Sequence, residues 1–423
     1  MVSYKSMKIL WIKSDFLVPA DTGGKIRSYN ILKMLAGMHE VSYLCLAEEE
    51  PSQDGLDHLK SFCKDVEFIG FSPDKKFSPE FYLSLLKNLF SKHPYVINKY
   101  KDDRVEDTIR EYIRQKNTDI IVCDFLEMTP NCINIENFPK VLFQHNVETE
   151  IWRRHFEVNE NPLKKGYLYL EYQKFFKYEK KACSKFDDVL VVSESDGRLL
   201  ENQYDVSHTT LIPTGVDIEY FKPAPEKIKP ENIVFVGSMD WLPNQDAVDY
   251  FVKSIYPKIK AKRPDVRFYI VGRRPPEYIR MLSERDNSIT VTGTVDDIRP
   301  YVDEASVYVV PIRIGGGTRI KIFEAMAQKK AIVSTAVGAE GLPLTDGKHI
   351  IIKDEPDDFA EAVLELMENR DEAFRLGENG YKLVTEKYSW EKVAQRFSDA
   401  LEDVLNKSRG RAAVGDSLGE SQS

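Results

Sequence analysis

Short β-branched runs alternate with longer amphipathic stretches along nearly the whole chain, the pattern of parallel strands joined by helical crossovers. Strands are predicted over residues 7–13, 41–46, 66–71, 119–123, 141–144, 189–192 and 210–213, and again over 232–237, 266–272, 289–293, 307–311, 331–335 and 349–353. Between the two series, Gly215, Pro223, Pro225 and Pro230 interrupt the periodicity in a segment rich in Lys and Glu. The expectation is an α/β chain of two doubly wound units, 1–213 and 232–389, joined by a linker at 214–231. A last helix over 390–407 and a Gly/Ser-rich disordered tail over 408–423 complete it. Open α/β sheets bind ligands at the carboxyl ends of their strands, so the site is expected in a central cleft drawing on loops of both halves.

At 423 residues with 42% hydrophobic content, the chain can bury a sizeable core in each unit. Its formal charge of -9 argues against a polyanion as the default partner, and no nucleic-acid role is expected. The five cysteines lack any CxxC spacing and read as buried and reduced, which suits the cytoplasm. Neither a signal peptide nor a stretch of about 20 apolar residues able to span a bilayer is evident.

Chemistry concentrates in VVPIRIGGGTRIKIFEAMA, beginning at Val309. An apolar strand ends at Pro311, Gly315, Gly316 and Gly317 follow, and an amphipathic helix is predicted from about Thr318. Glycines there let backbone N–H groups surround a phosphate at the positive end of a helix. Arg319 and Lys321 lie at that same end, where cations are unfavourable unless an anion joins them. Glu324, about one turn further, can reach a neutral hydroxylated group beyond the phosphates, such as a ribose. A flexible turn followed by a helix with solvated cations is the plainer alternative.

Gly23 and Gly24 occupy the matching strand-to-helix loop of the first unit, without the GxGxxG of a dinucleotide fingerprint. A tight turn explains them as well as ligand contact does. His145 ends a clear strand and is followed by polar residues, which places an imidazole at the carboxyl edge of the first sheet. There is no HExxH, no His/Cys cluster and no Asp-x-Asp, so no metal site is expected, and the absence of GxSxG argues against a nucleophile-elbow hydrolase. Residues 151–186 carry nine Lys/Arg against four Glu, net +5, interleaved with Tyr and Phe. Such a basic aromatic helix fits either anionic lipid or a solvated face over a core. Residues 81–90, FYLSLLKNLF, are ambiguous between core and membrane-facing surface.

Taken with IPTGVDIEYF, IVFVGS, FYIVG and TVTGTVDDIRPY, the glycine-rich segment resembles the retaining glycosyltransferases of GT-B fold, in particular the large family 4 class. The resemblance runs to about Asn406. It implies two Rossmann-like domains, an acceptor-side first and a nucleotide-sugar-binding second, with the last helix crossing back to the first. It implies that Gly23 and Gly24 contact the donor diphosphate and sugar, and that His145 approaches the donor sugar near the reacting carbon. Arg319, Lys321 and the backbone of Gly316–Thr318 would stabilise the leaving diphosphate, and Glu324 would bond the ribose. Gly272, Arg273, Thr294 and Val295 would border the base, with Gly237 also in the donor site. No cofactor is implied beyond the nucleotide-diphosphate sugar as co-substrate.

Two departures bear on the donor. The first glutamate of the usual family motif, eight residues before the second, is replaced by Gly316, and the usual Arg and Lys after the first strand of the second domain are missing from SMDWLPNQDAVDY. The resulting expectation is a metal-independent retaining transferase acting on a hydroxyl acceptor, with a glycan or lipid-linked precursor as the implied class. Peripheral contact at the inner membrane face would run through 151–186. A nucleotide-sugar 2-epimerase and a non-catalytic nucleotide-sugar-binding subunit remain open alternatives.

Overall fold

The computed structural model describes residues 6–419 apart from 76, 205, 207 and 315–318, with side chains through 410. Gly315, Gly316, Gly317 and Thr318 therefore lie outside the described residues. The chain divides into two compact units, Met1–Pro213 with Val393–Ser423, and Thr214–Lys392.

The first unit carries a seven-stranded sheet of order β3-β2-β1-β4-β5-β6-β7. Its strands are β1 (Lys8–Lys13), β2 (Glu40–Ala47), β3 (Asp65–Gly70), β4 (Ile120–Asp124), β5 (Lys140–Gln144), β6 (Asp188–Val191) and β7 (Thr209–Leu211). Every pairing is parallel. Continuous apolar runs such as KILWIK and IIVCD suit strands covered on both faces. Strand order reverses between β1 and β4, and in such sheets ligands bind outside the carboxyl ends at that switch point. Lys13 and Asp124 end these two strands and stand in register with each other.

The second unit repeats the plan with a six-stranded sheet of order β10-β9-β8-β11-β12-β13. The strands are β8 (Lys229–Val236), β9 (Arg267–Val271), β10 (Ile289–Gly293), β11 (Ala305–Val310), β12 (Ala331–Ser334) and β13 (Ile351–Ile352). Its switch point lies between β8 and β11, so Gly237 and the loop after Val310 occupy the ligand-binding edge.

Three boundaries differ from expectation. Residues 214–231 belong to the second unit: Val216 and Phe221 supply core side chains, and the Val216 N–H donates to the Tyr388 carbonyl at 2.8 Å. The last helix spans Trp390–Gly419 and so runs past the expected end at residue 407. Residues 151–186 form two helices, Glu148–Val158 and Pro162–Cys183, because Asn161 caps a new start with Pro162 at its first position. The second of these buries Phe175, Tyr178 and Ala182 in the core with Phe176 packed partly against it, while Tyr169 stays exposed.

Within the first unit the last helix lays Phe397 on Trp11, ring centroids 5.3 Å apart, and Ser398 bonds His39 at 2.7 Å. Among the described residues no helix is long and apolar enough to cross a membrane. All five cysteines are buried and free.

Candidate functional site

At the switch point of the first sheet a polar cluster is built around Asp124. Its Oδ2 accepts from Trp11 Nε1 (3.0 Å), Lys13 Nζ (3.0 Å) and Ser28 Oγ (2.6 Å), and its Oδ1 lies 2.8 Å from His145 Nε2. The other imidazole nitrogen, Nδ1, is 2.8 Å from Arg27 Nη1. A guanidinium only donates, so Nδ1 accepts and the proton sits on Nε2, facing the carboxylate. Burial pushes the imidazole down to about 3 despite Asp124, with Arg27 and Lys13 opposing a third positive charge. Burial alone would push the Asp124 carboxyl up, but Lys13, His145 and Ser28 hold it below the usual carboxylate range. Arg27 is lowered by burial to about 10 and stays charged at neutral pH.

Backbone strain supports this cluster. Phe125, directly after Asp124, has φ 77° and ψ 151°, a region nearly reserved for glycine that costs about 1–3 kcal/mol. In that conformation its ring stacks on His145 at 4.0 Å and lies 4.1 Å from Lys13 Nζ. A Cβ on Gly24 would come within 2.9 Å of the Phe125 ring, whereas one on Gly23 would meet nothing within 4 Å. Of the two glycines, only Gly24 is demanded by packing. Thr22 caps the helix Gly23–Ala36, its hydroxyl accepting from Lys25 N–H at 3.4 Å.

In the second unit, β8 runs into Gly237 and Ser238. Asn244, in the helix Leu242–Tyr250, donates from Nδ2 to the Ser238 carbonyl (2.8 Å) and accepts on Oδ1 from Lys321 Nζ (2.9 Å). Lys321 Nζ also sits 4.6 Å from the Phe235 ring centroid. A Cβ on Gly237 would lie 2.8 Å from both Asn244 and Lys321 Nζ. One on Gly272 would strike the Gly237 carbonyl, so Gly272 serves the close approach of two strand ends.

Arg319 stands at the N-cap position of the helix Ile320–Ala327, which has no side-chain cap and no acidic residue in its first turn. It is 4% exposed and 5.5 Å from the Trp241 ring. Burial, reinforced by Arg319, drops the Lys321 ammonium to about 7, with Glu324 opposing. Burial also lifts Glu324 to about 7 against the pull of Lys321. A bound anion would relieve this crowding of cations at a helix N-terminus. Arg273 bonds Ser238 Oγ at 2.9 Å, while Thr294 is exposed and Val295 packs partly on the core after Gly293 at φ 70°.

Thus Gly24 and His145 come together in the first unit, and Gly237, Gly272, Arg273, Arg319, Lys321 and Glu324 assemble around the β8 end of the second. Sequence reasoning missed Lys13, Arg27, Ser28 and Asp124, and also Trp241 and Asn244. The available signals were ionizable residues closing the apolar strands KILWIK and IIVCD, and a polar amide in a segment lacking the expected cations. Among the described residues no group of three or more His, Cys, Asp or Glu could hold a metal ion.

Residues 230–369 match the family model described as glycosyl transferases group 1. A protein of the cps region of Klebsiella pneumoniae is 23% identical over 405 residues, covering 91% of this chain and 97% of that one. A glycosyltransferase of Methanocaldococcus jannaschii is 25% identical over 370 residues, covering 82% and 93%. Among solved structures, Anabaena HepE in complex with UDP superposes with a TM-score of 0.63 at 14% identity, covering 94% of this chain and 100% of that one.

Proposed function

We propose that this chain, whose residues 230–369 match the group 1 glycosyltransferases and whose fold is that of GT-B structures, transfers a sugar from a nucleotide-diphosphate sugar to an acceptor hydroxyl, with retained anomeric configuration and without a metal. The observation that carries this reading is the placement of Lys321 by Asn244 beside Arg319 at an uncapped helix N-terminus. Two cations at the positive end of a helix match a diphosphate whose charge grows as the glycosidic bond breaks.

In this mechanism the bond between the anomeric carbon and the diphosphate oxygen breaks while the acceptor oxygen adds from the same face. The acceptor proton passes to the departing phosphate oxygen. Arg319 and Lys321 stabilise the leaving group, Glu324 holds the ribose, and His145 borders the sugar as a neutral ring held by Asp124 and Arg27. Arg273, Thr294 and Val295 border the base. The acceptor is a glycan or lipid-linked precursor. Buried, unpaired cysteines suit a cytoplasmic setting, with peripheral contact at the inner membrane face.

The test is turnover of Arg319→Ala and Lys321→Ala at unchanged melting temperature. Each is expected to lose on the order of 10²-fold or more; near-normal rates in both would sink the assignment. Chelator should leave the rate unchanged, and proton NMR should show the product anomer matching the donor.

One observation favours a second reading, a nucleotide-sugar 2-epimerase. Burial, with Glu127 and Glu179 nearby, pushes Glu148 up to about 8, and burial raises Glu127 as well. These half-buried carboxyl groups follow the ends of β5 and β4, where an acid/base pair would be needed. Product analysis without acceptor separates the readings, since only an epimerase forms a new nucleotide sugar.

A further inference from the structure

The helix Pro79–Leu89 is built inside out. Its one fully buried side chain is polar: Asn88 donates from Nδ2 to Glu171 Oε1 (3.1 Å) and accepts on Oδ1 from Asn98 (2.6 Å). Its carbonyl accepts from Lys174 Nζ at 2.6 Å, and Ser84, one turn earlier, donates to Asp74. Polar groups thus tie this helix to the protein. On the other face Tyr82, Leu83, Leu86 and Leu89 are exposed, and the flanking Phe77 and Phe90 are 78% and 88% exposed. A contiguous apolar face of this kind marks an interaction surface, because leaving it in water forfeits the gain of burial.

Charge identifies the occupant. Residues 71–101 carry six lysines against Asp74 and Glu80 within a chain of -9, and of the six Lys99 and Lys101 pair with Glu48 and Asp103. Lys75, Lys87 and Lys92 are exposed around the apolar face. Leu163, 89% exposed and followed by Lys164 and Lys165, opens the helix that anchors Asn88 through Glu171. An 11-residue helix is about 16 Å long and offers a few hundred Å² on one face, short of the roughly 800 Å² per partner of a stable dimer.

We propose that this face docks on an anionic lipid bilayer, the aromatic and leucine side chains entering the headgroup boundary and the lysines meeting anionic headgroups. The contact is placed at residues 77–90 rather than at 151–186, where Phe175 and Tyr178 serve the core. It does not rest on the transfer reading.

The experiment is co-sedimentation of the full chain with vesicles of phosphatidylcholine alone and of phosphatidylcholine with 30% phosphatidylglycerol. Binding is expected on the anionic vesicles, weakened at least fivefold on neutral ones and reduced by 0.5 M salt. The double variant Leu86→Gln/Phe90→Ser, which alters exposed side chains only, should lose tenfold or more. As a second readout, Leu86→Cys offers a uniquely accessible thiol, since the native cysteines are buried. An environment-sensitive probe there should shift to the blue on anionic vesicles. No binding to anionic vesicles, unchanged binding of the double variant, or a dimer that the double variant dissolves would overturn the proposal.

Discussion

Arg27 donates to His145: its Nη1 lies 2.8 Å from the imidazole Nδ1, while Asp124 holds Nε2 from the opposite side at 2.8 Å. Both nitrogens are committed inside the protein, so this imidazole has no lone pair to act as a base and no room for a second proton. What it offers a ligand is a fixed ring and the backbone around it. Nitrogen-detected NMR of labelled protein is therefore expected to show His145 neutral, with its proton on Nε2, down to pH 5. A ring that titrates near the ordinary histidine value would refute the arrangement.

The same lock predicts how stability depends on acidity. His145 is held near 3 in the folded chain, whereas an unfolded histidine titrates near 6.5. Between those values the unfolded state binds the extra proton, so stability rises with pH and is lost on acidification. For this single group the loss between pH 6.5 and 5 is about 1.5 kcal/mol. Asp124, depressed when folded, adds a further loss below about pH 4, again in the acid direction. Urea titrations at several pH values should show the slope, and His145→Asn should flatten it above pH 5. An equally steep slope in that variant would assign the effect to other groups.

Lys321 offers a direct reading of anion binding. With its ammonium near 7, most of the side chain is neutral at pH 8. A diphosphate bound beside it favours the charged form and raises the value, so binding at pH 8 is expected to take up close to one proton. Glu324 is largely ionised at that pH in both states and contributes little. Calorimetry of UDP or GDP in buffers of different ionisation enthalpy measures this uptake, and Lys321→Met should abolish it. Binding without proton uptake would mean that Lys321 does not meet the phosphates.

The strands of both sheets were readable because parallel sheets covered on both faces need uninterrupted β-branched runs, and those runs stand out in sequence. The glycine-flanked helix start near Arg319 was readable for a related reason, since cations in a first helical turn violate the dipole preference. Asp124 was not, because a carboxylate closing IIVCD looks like a strand end. Its meaning arises from Lys13, Ser28 and His145, at sequence separations of 111, 96 and 21 residues. Strand order brings β1 beside β4, and no local pattern encodes that. Asn244 was hidden likewise: read alone it is a loop amide, and only the return of Lys321 across 77 residues makes it a positioning group. FYLSLLKNLF was ambiguous because leucines at helical spacing suit a core and an apolar surface alike, and the structure buries Asn88 while exposing Leu83, Leu86 and Leu89.

Gly237 and Asn244 allow positioning of Lys321 to be separated from its charge. A Cβ at Gly237 would lie 2.8 Å from both the Asn244 amide and Lys321 Nζ, so Gly237→Ala must push the two apart at the mouth of the site. Asn244→Ala keeps the space but removes the acceptor, leaving Lys321 Nζ beside the Phe235 ring and within the field of Arg319 with one partner fewer. Both variants retain Lys321, so a role in placement predicts a tenfold or greater fall in kcat/KM with the Lys321 charge still present in the chain. Asn244→Gln, whose longer amide can still reach with adjustment, should recover part of that loss. If Asn244 merely stabilised its helix, all variants would lower the melting temperature while leaving kcat/KM of the folded fraction intact. Loss of rate at preserved melting temperature, partly restored by Gln, therefore distinguishes a positioning amide from a structural one.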